Sequence, residues 1–147
     1  MTVFLDTGVL GYITHPHGSK ESRECTAWLL ALLGNGARIC LPEICDYELR
    51  REYLLGQRGN ALKKLDALKT AIEFIPLNSS MMIKAAELWA SLRAAGKPTA
   101  DPKALDADVI LGAQAITLIG SANFCIATTN VGHLSNFADA REWRAIT

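Results

Sequence analysis

Residues 4–10 read FLDTGVL, and this run decides how the rest of the chain is interpreted. Val3, Phe4 and Leu5 favour a β-strand, and an uninterrupted apolar run this short is typical of a strand buried on both faces of a parallel sheet. Asp6 would then lie at the carboxyl end of that strand, the edge where ligands and catalytic groups gather in open α/β sheets. A carboxylate placed there needs a metal ion, a cation or N–H donors as a partner.

The composition is that of an ordinary globular domain. The chain has 147 residues, of which half are apolar and a fifth are charged, so we expect one domain spanning residues 1–147. The formal net charge is zero, and the whole-chain charge therefore gives no argument for nucleic acid. We expect no signal peptide, because Asp6 interrupts the N-terminal apolar run, and no membrane span. The cysteines show no zinc-site spacing and are expected to be buried free thiols in a reducing cytoplasm; they are Cys25, Cys40, Cys45 and Cys125.

The segment after the first strand is glycine-rich. Gly8 and Gly11 predict a tight turn, followed by a loop over residues 15–19. Ser19 is a good N-cap, and the apolar spacing that follows predicts a helix that ends at the glycines of residues 34–36.

A second strand over residues 37–41 leads into the helical sequence PEICDYELRREYLL at residues 42–55. Glu48 on this helix lies beside apolar residues, which suggests a position close to the buried face. The alternative is a solvated Glu48 paired with Arg51, and the pattern alone does not decide between the two.

From Arg50 to Lys69 the chain is predominantly basic. This stretch is the part of the sequence suited to a phosphate backbone, and Arg50 and Arg51 are predicted to contact the substrate. The alternative is an ordinary solvated helix face. Leu54 and Leu55 give this stretch more apolar positions than one core face needs, so an interface with a partner protein is a further alternative.

Two further acids lie on an unusually apolar helix predicted over residues 104–119. Asp106 and Asp108 both fall in its predicted first turn, where helix capping is the common explanation for carboxylates. Because Asp106 and Asp108 are two residues apart, they point about 200° apart around the helix, so one acid can be the cap while the other faces a cleft. Asp108 is favoured for the cleft because it directly precedes the packed run that begins at Val109.

The strands and helices alternate along the chain, which predicts an α/β fold with a parallel sheet and helices on both faces. The carboxyl ends of such strands meet at one edge. The residues expected there are Asp6, Glu48, Asp108, Asp106, Thr128 and Asn130. Several carboxylates at one place repel one another, so either their pKa values rise or a hard divalent cation neutralises them. Mg²⁺ or Mn²⁺ is the expected cofactor, because both prefer oxygen ligands.

Four motifs together resemble the PIN-domain family, and most closely its VapC-type toxins from bacterial toxin–antitoxin pairs. They are FLDTGVL (4–10), PEICDYELRRE (42–52), DVILGAQA (108–115) and IATTNVGHL (126–134), in the family's order and spacing. The resemblance implies a three-layer α/β/α fold around a short parallel sheet of four to five strands. It also implies a Mg²⁺- or Mn²⁺-dependent ribonuclease, a homodimer, and a small antitoxin that blocks the site.

Position by position, the resemblance makes Asp6, Glu48 and Asp108 the three acids that hold metal and carry catalysis. The fourth position, often acidic in the family, is Asn130 here, and Asp106 is the candidate to replace that acid as a metal ligand. Thr7 follows the first acid as in the family, and Thr128 matches the family's hydroxyl at a strand end. Thr7, Thr128 and Asn130 are accordingly expected to contact the substrate.

Other hypotheses remain beside the nuclease. Because the fourth acid is missing, a PIN scaffold that binds RNA or a partner protein without cleaving is the main rival. A haloacid-dehalogenase-like phosphatase also begins with an acid after a strand, but it needs a second acid two residues later, where this chain has Gly8. A receiver domain would need paired acids and a lysine that we cannot place.

Overall fold

A computed structural model of the chain describes residues 1–96, 102–120 and 123–147. Its centre is one parallel sheet of five strands in the order β3-β2-β1-β4-β5. The strands are β1 (Thr2–Leu5), β2 (Arg38–Pro42), β3 (Glu73–Ile75), β4 (Phe124–Thr128) and β5 (Ala140–Glu142). The predicted parallel sheet is therefore confirmed, and Phe4 and Leu5 of FLDTGVL lie in its central strand.

In the described residues six helices and one short 3₁₀ turn connect the strands, and a second 3₁₀ turn follows β5. The helices are α1 (Thr7–Thr14), α2 (Lys20–Gly34), α3 (Glu43–Leu55), α4 (Gly59–Ala71), α5 (Ser79–Ala94) and α6 (Pro102–Ile119). The chain moves from β1 to β2 and β3 in one direction, and α5 and α6 then carry it back past β1 to β4. Because crossovers between parallel strands are right-handed, this reversal places α1–α4 and α5–α6 on opposite faces, which gives the predicted α/β/α layers.

The predicted tight turn after β1 is wrong, because the chain enters helix α1 directly at Thr7. Burial of Val9 and Leu10 against the core outweighs the low helix propensity of the two glycines. Gly8 is instead a point of close approach, since a Cβ atom there would lie 2.6 Å from Thr129 Oγ1. The glycine thus brings α1 against the end of β4.

Two other element boundaries also differ from the prediction. Helix α6 begins at Pro102 rather than Ala104, so Asp106 and Asp108 lie beyond its first turn and helix capping does not explain them. Proline suits a first helical position, where its missing N–H costs nothing. The edge strand predicted from Glu142 ends at that residue, because Trp143 turns inward and is buried.

The core surrounds the sheet, and Val3, Phe4 and Leu5 of β1 are completely buried within it. All four cysteines are free and buried, as predicted. On α6, Gly112 allows Phe137 to pack directly on the helix, since a Cβ atom at Gly112 would lie 2.4 Å from the ring. No described helix is long and apolar enough to cross a membrane.

Candidate active site at the carboxyl edge of the sheet

Asp6 occupies the middle of the sheet edge and is held by donors from two elements. Its backbone N–H donates to Ala127 O on β4 at 3.0 Å, which continues the pairing of β1 with β4. Oδ1 accepts from the Thr7 backbone N–H at 2.7 Å, and Oδ2 accepts from Thr128 Oγ1 at 2.6 Å. Burial nevertheless raises the pKa of Asp6, against the lowering effect of these two hydrogen bonds.

Glu48 reaches the same edge from the second turn of α3. Thr7 Oγ1 donates to Glu48 Oε1 at 2.9 Å, so one threonine contacts both acids, through its backbone and through its hydroxyl. Arg51 lies 4.0 Å from the other carboxylate oxygen, and a quarter of the Glu48 side chain stays exposed. Both interpretations left open by the sequence are thus partly correct. Burial is the main cause that raises the pKa of Glu48, and the charge of Asp6 adds to it.

Asp108 is the acid whose protonation is most affected. Its pKa is raised to about 7, first by burial and then by the charges of Asp6 and Glu48. Because the charges of Asp6 and Glu48 act on Asp108, the structure places three acids near one another, from the end of β1, from α3 and from α6.

One residue that the sequence analysis did not single out supports this arrangement. Gln114 on α6 is completely buried; its Oε1 accepts from the Ile44 N–H at 3.2 Å and its Nε2 donates to Ile75 O at 2.8 Å. It therefore ties α6 to the start of α3 and the end of β3. Its polarity within an apolar helix was a signal that could have identified it. Cys45 is also completely buried, and the pKa of its thiol is raised by that burial and by the charge of Asp6.

At the end of β4, Thr128 and Asn130 form a short polar turn. Thr128 is fully buried, and its Oγ1 accepts from the Asn130 N–H at 3.1 Å. The side-chain carbonyl of Asn130 accepts from the Gly132 N–H at 3.1 Å, and Asn130 is exposed. The residue at the usual fourth acidic position therefore helps to close this turn.

The remaining predicted site residues lie farther out. Asp106 is exposed and lines a cleft beside Glu48, but it is not among the charges that raise the pKa of Asp108. Arg51 is exposed, with its guanidinium over the Tyr47 ring. Arg50 points elsewhere: it forms a fork with buried Asp46 at 2.9 and 3.1 Å and also contacts Asp66 at 2.7 Å. This ion-pair network stabilises α3 against α4.

The three carboxylates suit a hydrated divalent cation better than a closed metal cage. In the part of the chain that the structure describes, no three His, Cys, Asp or Glu side chains lie close enough to enclose an ion by themselves. Mg²⁺ retains several waters and is usually held through one or two carboxylates, so an open oxygen site fits its preference. Burial is the main cause that raises the pKa values of Asp6, Glu48 and Asp108, and the charges of neighbouring acids add to it at Glu48 and Asp108; a bound cation would offset both effects.

Comparison with known proteins agrees with this geometry. The family model of the PIN domain matches residues 3–122, a span that contains all three acids. The chain belongs to the PIN-domain family. Among curated protein sequences, none matches this PIN domain.

Solved structures share the whole fold at low sequence identity. A structure of VapBC2 from Rickettsia felis, bound to a DNA fragment from their promoter, superposes with a TM-score of 0.72 and 19% identity, covering 96% of this chain and 98% of that chain. VapBC-1 from nontypeable Haemophilus influenzae superposes with a TM-score of 0.66 and 15% identity, covering 98% of this chain and 99% of that chain. At these identities the likeness establishes that this PIN domain shares their fold.

Proposed function

We propose that this PIN domain is a metal-dependent endoribonuclease that hydrolyses RNA phosphodiester bonds and acts as the toxin of a toxin–antitoxin pair. One observation carries the proposal: Asp6, Glu48 and Asp108 lie near one another at the carboxyl edge of the sheet, where burial, and then the charges of Asp6 and Glu48, raise the pKa of Asp108 to about 7. A carboxylate group with this excess charge favours binding of a cation. Membership of the PIN-domain family supports nuclease chemistry for it.

Mg²⁺ or Mn²⁺ would be held by Asp6, Glu48 and Asp108, with Asp106 available at the rim of the site. When bound, such a cation neutralises the carboxylates and the phosphate and activates water for attack at phosphorus. A group of three carboxylates favours a metal-dependent reaction over an acid–base pair.

The chain's own contribution is to orient the acids and the scissile phosphate. The Thr7 N–H and Thr128 Oγ1 fix the two oxygens of Asp6, while Thr7 Oγ1 fixes one oxygen of Glu48. Arg51 at the rim offers positive charge to the RNA backbone. In the reaction a water oxygen bonds to phosphorus and the P–O3′ bond breaks, which leaves a 5′-phosphate and a 3′-hydroxyl.

We further propose a small antitoxin partner, a homodimer and a cytoplasmic location. The resemblance to VapC-type toxins supports the first two. Exposed apolar side chains support them independently, since Leu54, Leu55 and Ile83 are 60%, 88% and 63% exposed. Four buried free thiols suit the reducing conditions of a cytoplasm.

The decisive experiment compares wild type with Asp6→Asn on a mixed RNA pool, with Mg²⁺, with Mn²⁺ and with EDTA. Glu87→Gln, which changes an exposed acid on α5 that pairs with Lys84, is the matched control. We expect wild type and Glu87→Gln to cleave only with metal and Asp6→Asn not to cleave, with unchanged circular dichroism in all three. Full cleavage by folded Asp6→Asn would refute the assignment.

The second candidate is a PIN module that binds RNA or a partner without cleaving. It is favoured by Asn130, which stands at the usual fourth acidic position and uses its carbonyl to close a turn. Under this hypothesis, folded antitoxin-free protein cleaves none of several RNA pools in either metal, yet still binds RNA or protein. Metal-dependent cleavage that requires Asp6 would exclude it.

A further inference from the structure

A groove extends away from the three acids across the helical surface. A cavity of about 300 Å³ opens beside Glu48 and is lined by Tyr47, Arg51 and Asp106. A second cavity of about 360 Å³ lies between α5 and α6 and is lined by Trp89 and again by Asp106. The two cavities adjoin at Asp106 and Ile110 of α6, and we call the surface that they form from α3 across α6 to α5 the α3–α5 groove.

Each cavity of the α3–α5 groove contains one exposed aromatic ring with an arginine against it. Tyr47 is 56% exposed, and the Arg51 guanidinium lies 5.2 Å from its ring centroid. Trp89 is 38% exposed, and the Arg93 guanidinium lies 4.9 Å from its ring centroid. Aromatic rings with adjacent arginines are what proteins use to hold single-stranded nucleic acid, because any base stacks on them and the guanidinium attracts phosphate.

We propose that the α3–α5 groove binds the single-stranded RNA nucleotides next to the scissile phosphate, with one base stacked at Tyr47 and another at Trp89. The inference rests on the proposed ribonuclease function, since it places the scissile phosphate at Asp6, Glu48 and Asp108. The nucleotides on either side of that phosphate must then lie along the adjoining surface, and the groove opens directly beside Glu48. Unpaired RNA bases are available for such stacking, whereas bases inside a duplex are not.

A second copy of the chain is the rival occupant, because the groove also contains apolar side chains such as Met82 and Ile110. Continuity with the acids favours RNA, since the part of the groove nearest the acids is formed by Tyr47, Glu48 and Arg51. The arginine at each ring adds charge that is complementary to a phosphate backbone.

The test measures RNA binding in the cleavage-deficient Asp6→Asn background with Mg²⁺, by fluorescence anisotropy of a labelled, unstructured 12-nucleotide RNA. We expect Tyr47→Ala and Trp89→Ala each to weaken binding roughly 5- to 100-fold, the range for loss of one stacked base. Tyr47→Phe and Trp89→Phe should retain most of the affinity, because a ring remains. Leu30→Ala, which removes an exposed apolar side chain on α2, is the control and should change nothing.

Equal RNA affinity in all variants would overturn the inference. So would loss of affinity that appears only together with a change from dimer to monomer in sedimentation, since that outcome makes the groove an interface between copies. Cleavage kinetics separate this inference from the proposed function. If wild type cleaves and Trp89→Ala leaves KM unchanged, the assignment of the groove is refuted and the ribonuclease function stands. If wild type never cleaves but the alanine variants lose RNA binding, the ribonuclease function is refuted and the assignment of the groove stands.

Discussion

Replacing Asp108 by Asn should stabilise the metal-free protein, and should do so increasingly as pH rises. The folded protein holds the pKa of Asp108 at about 7, against an ordinary value of 3.8. Between these two pH values the folded chain retains a proton that the unfolded chain has released. Stability therefore falls as pH rises from about 4 to 7, and the Asp108→Asn substitution would remove this dependence because an amide does not ionise.

The size of the effect follows from the same two values. A difference of about three pH units, from 3.8 to about 7, corresponds to an upper limit of ~4 kcal/mol. Asp108 is only partly buried, so solvent screening reduces this limit, and we expect ~1–2 kcal/mol at pH 8. For a protein of this size that gain corresponds to a rise in Tm of roughly 3 to 8 °C.

The assay is urea or thermal unfolding in EDTA at pH 5, 6, 7 and 8, for wild type, Asp108→Asn and the control Glu87→Gln. The stability difference between Asp108→Asn and wild type should be small at pH 5 and largest at pH 8. Added Mg²⁺ should stabilise wild type and leave Asp108→Asn unchanged, because a ligand that binds only the folded state shifts the equilibrium toward it.

Two results would refute this reasoning. If the difference in free energy of unfolding between Asp108→Asn and wild type stays constant from pH 5 to pH 8, Asp108 does not carry the raised pKa. If Asp108→Asn is less stable than wild type at pH 8 in EDTA, the carboxylate makes a favourable contact that outweighs its burial and the repulsion from its neighbours.

Three further substitutions test the supporting structure by urea unfolding. Gly112→Ala should lower the free energy of unfolding by about 1–3 kcal/mol, because its new Cβ atom meets the Phe137 ring. Gly34→Ala, with open space around the new Cβ atom, is the control and should be neutral or stabilising. Equal effects of the two substitutions would refute the close packing at Gly112. Gln114→Leu should cost about 2 kcal/mol or more, because it leaves two buried backbone groups without partners, and unchanged stability would contradict its bridging role. Arg50→Ala should lower stability by about 1–3 kcal/mol and leave RNA affinity unchanged; the reverse pattern would restore Arg50 as a substrate contact.

The sheet and its acidic edge could be predicted because their signals are local. Apolar runs such as Val3–Leu5 give the buried strands, and the acid that follows the first run marks the edge. Helix α1 could not be predicted in this way, since its glycines argue against a helix and only packing against the core and Thr129 explains them. Local propensity is a weak guide where tertiary contacts decide.

The surroundings of the acids depend on partners far away in the sequence. Glu48 is fixed by Thr7, 41 residues earlier, so its sequence neighbours left its position undecided. Nothing in the sequence indicated that Arg50 is paired with Asp66, because Asp66 lies 16 residues later in the chain. Gln114 likewise acts through Ile44, 70 residues away. Such contacts are set by the complete fold, which explains why the environment of the acids could not be predicted from the sequence.

The position of β4 beside β1 has a consequence for synthesis of the protein on the ribosome. Asp6 is translated 122 residues before Thr128, whose hydroxyl contacts its side chain. The sheet edge cannot close around Asp6 until β4 has left the exit tunnel. A prematurely terminated product that lacks β4 would therefore carry all three acids without the strand that fixes the first of them.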